Sequence, residues 1–262
     1  MNSSAEAMGR PVSVRSQRLR ILGAPVDNVS MREALEQIEA FVREKVPRQH
    51  VSINVHKLVM LQRDAQLREV VEACDLATAD GQPVVWAARL LGRPVKGRIT
   101  GIDLMENVLA LAAEKGYRVY FLGGPREVVA RAVDQYRGRY AQLQVAGWAD
   151  GYWSPAEESG IVSAIKAARP DILFVALDSP RKENFIHRHR EQMRVPFAMG
   201  VGGAFAVGAG MVRRAPRWMQ HTGLEWFWRM AQEPVRLSKR YSADGIAFVS
   251  LLLRELFSEP RH

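Results

Sequence analysis

Short apolar runs alternate with longer segments of helical periodicity along most of the chain. Runs rich in β-branched residues are typical of strands, whereas apolar residues spaced three and four apart are typical of helices. The alternation predicts an α/β fold, a Rossmann-like and mostly parallel sheet with helices on both faces. The predicted strands are residues 51–54, 76–79, 119–122, 144–146, 172–177 and 197–199. Because several of them are almost wholly apolar, both faces of the sheet are expected to be covered.

Six helices are predicted around these strands. The first begins after Ser30, because a serine followed three residues later by Glu33 is a capping box, in which each side chain bonds the other residue's backbone amide. The predicted helices are residues 31–44, 83–91, 104–115, 126–140, 155–168 and 182–193.

The composition divides the chain into three parts. Residues 1–17 are polar and are expected to be a flexible tail, and residues 18–210 carry the alternating α/β pattern. From residue 211 the strand pattern stops, and residues 211–262 are predicted to form a helical appendage rich in Arg and Trp. Its apolar stretch, 245–257, is shorter than the roughly 20 residues that cross a bilayer. We expect this stretch to lie on a membrane or to pack on the sheet.

Cysteine content and charge narrow the function classes. Cys74 is the single cysteine, which excludes an intramolecular disulfide and a Cys-rich zinc module and predicts a reducing, cytoplasmic compartment. The N-terminus lacks the apolar stretch of a secretory signal. The formal net charge is +9, and most of the excess lies at the two ends of the chain. Such ends suit phosphates of nucleic acid, anionic lipid or a diphosphate substrate, although charge alone favours a solvated surface.

Polar residues follow the first two predicted strands. Ligands of open α/β sheets bind outside the carboxyl ends of the strands, where Asn54 and Asp80 are placed. A carboxylate there can act as general base for a hydroxyl nucleophile. Taken alone, Asp80-Gly81 is better explained as a turn or a helix cap before Pro83.

Three further features bear on chemistry. Glycines follow two strands, at 123–124 and 200–203, where they suit either a phosphate or a tight turn. The six histidines have no metal-ligand spacing, so we expect no metal cofactor. In the appendage, arginines suit phosphate binding, and Glu225 is expected to pair with an arginine, since Arg229 lies four residues on.

These pieces, taken in order over residues 21–240, resemble the WecG/TagA/CpsF family of glycosyltransferases, glycosyltransferase family 26. One element alone is weak evidence, whereas the ordered set is specific. The set comprises Asn54, Asp80-Gly81, Arg98, Gly101-Ile102-Asp103-Leu104, Phe121-Leu122-Gly123-Gly124, Gly147, Gly151-Tyr152, Ser179-Pro180, Glu183, Gly200 to Phe205, Gly210, Arg214-Ala215-Pro216, Gly223 to Trp226 and Arg229.

The resemblance implies an inverting transfer of an N-acetylmannosamine-type sugar from a UDP donor to a sugar on undecaprenyl diphosphate. The enzyme would be metal-independent, peripheral at the cytoplasmic face of an anionic membrane, and possible as a homo-oligomer. Asp80 matches the family's proposed general base, and Arg214, Arg229 and Arg236 would bind the diphosphate. The other implied binding residues are Ser52, Asn54, Arg98, Asp103, Gly123, Lys182, Glu183, Gly202 and Gly203.

One departure from the family pattern concerns the donor. Asp178 and Lys182 replace the glycine and glutamine of the usual Gly-x-Pro-Lys-Gln-Glu. Lys182 is expected either to contact a donor phosphate or carboxylate, or to pair with Asp178. The donor alternatives are UDP-glucose and a UDP-uronate. The rival of another class is a non-catalytic module recruited to membrane or nucleic acid, and nucleic acid is disfavoured because the basic residues lie in a tail and not on a recognised nucleic-acid fold.

Overall fold

A computed structural model describes residues 17–232 and 234–258 of the chain. The side chains of residues 217, 221, 229, 234–241 and 258 are not described. The predicted N-terminal tail, apart from Gln17, therefore lies outside the described residues. So do the side chains of Arg229 and Arg236.

The sequence folds into eight strands and twelve helices over the described residues. The strands are β1 (Arg18–Ile21), β2 (Ala24–Asp27), β3 (Arg48–Ile53), β4 (Leu76–Ala79), β5 (Arg118–Gly123), β6 (Gln144–Ala149), β7 (Ile172–Ala176) and β8 (Phe197–Gly200). The helices are α1 (Met31–Glu44), α2 (Val55–Leu61), α3 (Ala65–Glu72), α4 (Gln82–Leu90), α5 (Gly101–Lys115), α6 (Arg126–Arg139), α7 (Glu158–Ala168), α8 (Arg181–Met193), α9 (Ala204–Gly208), α10 (Arg217–His221), α11 (Glu225–Gln232) and α12 (Pro234–Ser258).

A six-stranded sheet forms the centre of the molecule, in the order β4-β3-β8-β7-β5-β6. Every pairing in it is parallel. All six predicted strands and all six predicted helices are confirmed, and the capping box of Ser30 and Glu33 is present. The elements before residue 211 that were not predicted are the antiparallel hairpin of β1 and β2 and the short helices α2, α3 and α9.

Helices cover both faces of the sheet, as the apolar strands predicted. One face packs on α1, α5 and α6, and the other on α2, α3, α4, α7 and α8. In β7, Phe174 packs on the face covered by α1, α5 and α6, whereas its neighbours Leu173 and Val175 pack on the face covered by α7 and α8. This alternation lets one strand contribute to the apolar core on both faces of the sheet.

The C-terminal stretch packs against the α2 side of the molecule. Phe248 of α12 is 8% exposed and lies in the same apolar cluster as Ile21 and Leu22 of the hairpin. A hydrogen bond and an ion pair join α12 to the rest of the molecule, His56 Nδ1 with Asp244 Oδ2 at 2.7 Å and Arg93 Nη1 with Glu255 Oε1 at 2.8 Å. The opposite side of the helix presents an exposed apolar stripe, made of Ile246, Val249, Leu253 and Phe257. None of the described helices has the length and apolarity to cross a bilayer.

Candidate active site

The ends of β3 and β4 bring Ser52 and Asp80 together beside the first residue of α5. A backbone hydrogen bond from Asp80 N to Ile53 O, 2.8 Å, holds the carboxylate residue against the end of β3. Gly101 N then lies 3.4 Å from Asp80 Oδ2. A Cβ at Gly101 would be 3.3 Å from Ser52 Oγ and 3.7 Å from Asp80 Oδ2. The hydroxyl and the carboxylate therefore face the same small space.

The surroundings of Asp80 suit a charged carboxylate. It faces the amino-terminal end of α5, a helix of 15 residues, whose dipole is positive at that end. Ser52 Oγ is buried, and no partner reaches it among the described residues. A buried hydroxyl without a partner is unusual, since buried polar groups are normally hydrogen-bonded. The pair thus offers a base and a hydroxyl that a ligand can bind.

Asn54 has a structural role at this edge. Its Oδ1 accepts a hydrogen bond from Lys57 N at 2.9 Å and caps α2. A side-chain cap of this kind stabilises the first turn of a helix. The cap fixes the direction of α2 as it leaves the strand and so places the Lys57 side chain.

Lys57 is a buried residue that the sequence analysis missed. Its ammonium forms an ion pair with the carboxylate of Glu183, and each residue is only 3% exposed. Ser179 Oγ donates to the same Glu183 oxygen at 3.0 Å. Burial alone would raise the pKa of Glu183, but the ammonium groups of Lys57 and Lys182 outweigh it and lower that pKa to about 2. Glu183 is therefore an ionised carboxylate inside the protein.

Lys182 joins this cluster at the end of β8. Its Nζ lies 3.3 Å from Glu183 Oε1 and contacts Ser179 Oγ. Within the described chain its ion pair is thus with Glu183, and the alternative of a pair with Asp178 is corrected. The stem of Lys182 crosses Gly200 so closely that a Cβ there would be 2.8 Å from Lys182 Cδ. Burial lowers the pKa of the Lys182 ammonium, with Glu183 opposing that effect.

The predicted glycines differ in what surrounds them. Gly202 has a φ of +51°, and a Cβ at Gly202 or Gly203 would meet open space, so a ligand can approach the backbone there. At Gly123 a Cβ would be 2.5 Å from Ala176 O, and φ is +114°. The close packing of β5 on β7 therefore explains the glycine at 123 without a ligand.

Four charged residues connect α5 with the segment after residue 211. Arg214 Nη1 lies 2.6 Å from Asp103 Oδ1, and Arg214 Nε lies 3.3 Å from Glu225 Oε1. The other Glu225 oxygen lies 3.3 Å from Arg98 Nη1. Burial would raise the pKa of Asp103, but hydrogen bonds from Arg214 and Thr100 lower it. Glu225 thus pairs with arginines 127 and 11 residues away, whereas the side chain of Arg229, on which the prediction rested, lies outside the described residues.

Metal ligands do not cluster in the part of the chain that the structure describes. No three His, Cys, Asp or Glu side chains there converge as a metal ion would require.

Comparisons with known proteins point to one enzyme family. A family model described as the glycosyl transferase WecG/TagA/CpsF family matches residues 19–262. An N-acetylglucosaminyldiphosphoundecaprenol N-acetyl-beta-D-mannosaminyltransferase of Bacillus spizizenii strain W23 is 35% identical over 173 residues, which are 66% of this chain and 66% of that enzyme. The enzyme of the same name from Bacillus subtilis strain 168 is 29% identical over 228 residues, 87% of this chain and 88% of that one.

Proposed function

Since the chain belongs to the WecG/TagA/CpsF family of glycosyl transferases, we propose that it moves an N-acetylmannosamine-type sugar from a UDP-sugar to a sugar on undecaprenyl diphosphate. The acceptor and the transferred sugar are taken from the names of the two relatives. The observation that carries the proposal is the placement of Asp80 beside Ser52 at the carboxyl ends of β3 and β4. This is the edge where open α/β sheets bind nucleotides and their sugars.

A single carboxylate is enough for inversion. The acceptor hydroxyl attacks the anomeric carbon from the face opposite UDP, and the bond to UDP breaks as the new glycosidic bond forms. Asp80 takes the proton of the attacking hydroxyl, which makes it the general base. Ser52 Oγ, which has no partner within the described chain, binds a sugar hydroxyl beside it.

The leaving diphosphate needs positive charge where its own charge develops. Lys182 and Arg214 supply cations at the strand ends, and the open backbone at Gly202 and Gly203 supplies amide donors. Arg229 and Arg236 belong to the same set in the proposal. With these groups the transfer proceeds without a metal ion.

Lys182 bears on the identity of the donor sugar. Lys182 carries a cation where the family pattern has a neutral amide, and a cation favours a donor that is charged. A UDP-uronate is therefore the leading alternative donor, because its carboxylate can pair with an ammonium group. UDP-glucose is the neutral comparison.

In this proposal the C-terminal helices bind the enzyme to a membrane surface. The exposed stripe of α12 forms one apolar side of a helix, and exposed Trp218 and Trp226 lie in the preceding segment. Apolar burial together with basic residues binds a helix to an anionic lipid surface. The protein is thus peripheral at the cytoplasmic face, where a polyprenyl-linked acceptor is within reach.

One transfer assay tests the function. The protein is incubated with a lipid-diphosphate-linked acceptor and a panel of UDP-sugars, with and without a chelator. Asp80→Asn should lower the rate by about 10²–10⁴-fold, the usual contribution of a general base. Asp134→Asn, at an exposed position on α6, is the matched control and should retain the rate. Absence of transfer from every donor by correctly folded wild type would favour the non-catalytic module.

A further inference from the structure

An ionic network of alternating charge joins the sheet domain to the segment after residue 211. Its order is Asp103, Arg214, Glu225, Arg98, so that each acid lies beside an arginine. Arg98 and Asp103 come from the sheet domain, whereas Arg214 and Glu225 come from the C-terminal segment. The side chains of Glu225 and Arg98 are only 15% and 16% exposed. Ion pairs that are this sheltered are screened by solvent less than surface pairs are.

Two carboxylates fix the orientation of the Arg214 guanidinium. Glu225 holds its Nε and Asp103 holds its Nη1. Its Nη2 is buried and has no hydrogen-bond partner among the described residues. A planar guanidinium that is held at two of its nitrogens presents the third in a fixed direction. Because a buried donor normally has a partner, the vacant Nη2 points to an anionic ligand oxygen.

The network lies close to the proposed base. Asp103 is in the first turn of α5, two residues after the Gly101 amide that faces Asp80 Oδ2. The turn between α10 and α11 also packs on the start of α4, since a Cβ at Gly223 would be 2.6 Å from Gln82 Cβ. Arg98 and Arg214 therefore lie at the edge of the same strand-end site.

We infer that Glu225 is a positioning residue, whose carboxylate orients Arg98 and Arg214 to bind the diphosphate of a substrate. The inference rests on the proposed function, which supplies the diphosphate. Glu225 contacts both arginines, one with each oxygen. Removing its charge breaks the ion pair with Arg98 and leaves Arg214 paired with Asp103 alone. Both arginines remain in the protein, but Glu225 no longer orients their guanidinium groups towards the ligand.

The chain offers a matched control for this role. Glu255 pairs with Arg93 at 2.8 Å and also joins the C-terminal part to the sheet domain. It lies near the end of α12 and outside the network. Glu255→Gln therefore removes an ion pair of the same kind without touching Arg98 or Arg214.

The test compares Glu225→Gln, Glu225→Asp and Glu255→Gln with wild type. UDP binding is measured by titration calorimetry, and the KM for the lipid-linked acceptor is measured in the transfer assay. Glu225→Gln should weaken one of these at least tenfold with a smaller change in kcat. A weaker UDP affinity assigns the arginines to the nucleotide diphosphate, and a higher acceptor KM alone assigns them to the lipid diphosphate. Glu225→Asp keeps the charge on a shorter side chain, so its UDP affinity and acceptor KM should lie between those of Glu225→Gln and wild type. Glu255→Gln should match wild type in both quantities.

Several results would overturn the inference. Wild-type UDP affinity and acceptor KM in Glu225→Gln would do so, and tighter binding would do so as well, since Glu225 would then compete with the ligand. An equal loss in Glu255→Gln would show that general docking of the C-terminal part is responsible. Should Glu225→Gln not fold, Glu225→Asp alone decides, and wild-type behaviour of that variant overturns the inference. A wild-type protein that neither binds UDP nor transfers sugar overturns the proposed function, and the inference with it.

Discussion

Ser52 Oγ and Asp80 Oδ2 both lie beside Gly101. A Cβ at position 101 would be 3.3 Å from Ser52 Oγ and 3.7 Å from Asp80 Oδ2. A methyl group at this position would enter the space between the hydroxyl and the carboxylate. The glycine thus keeps that space open for an acceptor hydroxyl.

Gly101→Ala should therefore lower kcat/KM at least tenfold without unfolding the protein. The backbone at 101 is not in the left-handed region, and alanine is the better helix former. Initial rates and thermal unfolding measure the two effects. Gly160→Ala in α7, where a Cβ meets open space, is the control and should keep the wild-type rate. Full activity of Gly101→Ala would show that the reacting groups do not meet at this position.

Lys57→Met should destabilise the protein by about 3–5 kcal/mol, the usual cost of breaking a buried pair from one side. Glu183 would keep Lys182 as its remaining ionic neighbour. Denaturant unfolding at neutral pH measures the loss. A change below about 1 kcal/mol would show that Lys182 and Ser179 satisfy Glu183 without Lys57.

The pKa of Glu183 also predicts a pH dependence of stability. The folded pKa, about 2, is below the ordinary 4.5, so the stabilisation is present above pH 4.5 and is lost as the pH falls from 4.5 towards 2. The free energy of unfolding should decrease over this window in wild type and decrease less in Lys57→Met. Parallel curves for the two proteins would contradict the prediction.

His50 predicts a second loss of stability, beginning at higher pH. Burial lowers the pKa of this imidazole to about 3, and its Nε2 lies 2.9 Å from Thr78 Oγ1. The unfolded chain takes up the proton near pH 6.5, so stability should fall as the pH drops from 6.5 towards 3. Between pH 6.5 and 5 the free energy of unfolding should therefore already decrease because of His50, at pH values above those at which Glu183 contributes. His50→Gln should flatten the unfolding free energy there, and an unchanged slope would count against His50.

Lys182→Gln, which restores the family's amide, should change donor preference. If the ammonium binds a donor carboxylate, the rate with a UDP-uronate falls relative to the neutral donors. If the ammonium binds a phosphate, the transfer rate falls by the same factor with every donor. Competition assays with mixed UDP-sugars measure this ratio. Lys166→Gln, at an exposed position on α7, is the control, and unchanged rate and preference in Lys182→Gln would remove its recognition role.

Polar substitution of the α12 stripe should release the protein from anionic liposomes. Ile246→Ser with Leu253→Ser changes exposed side chains only and leaves Phe248 in its cluster. Co-sedimentation with vesicles of anionic lipid measures binding. Val46→Ser, at another exposed apolar residue, should bind as wild type does. Retention of the double variant would assign the membrane contact to another surface.

The sequence predicted the sheet because its strands are apolar on both faces, and it missed the elements whose pattern is short. The hairpin has four-residue strands, and its cross-strand pair of Arg18 with Asp27 reads as ordinary surface charge. The helices α2 and α3 have seven and eight residues, fewer than a clear period needs.

The candidate site shows the same division. Asn54 and Asp80 could be placed at one edge because parallel strands end together, whereas Ser52 was added only by the resemblance to the family. Lys57 and Glu183 lie 126 residues apart in sequence, and Arg98 and Glu225 lie 127 apart. No local spacing connects such partners, so these contacts emerge only from the folded chain.

The packing of Phe248 beside Ile21 and Leu22 has a consequence for synthesis on the ribosome. The hairpin, α2, α3 and α4 all precede α12 along the chain, so they can form most of this cluster before Phe248 is synthesised. A nascent chain that stalls before α12 therefore leaves the part of the cluster that Phe248 covers exposed to chaperones.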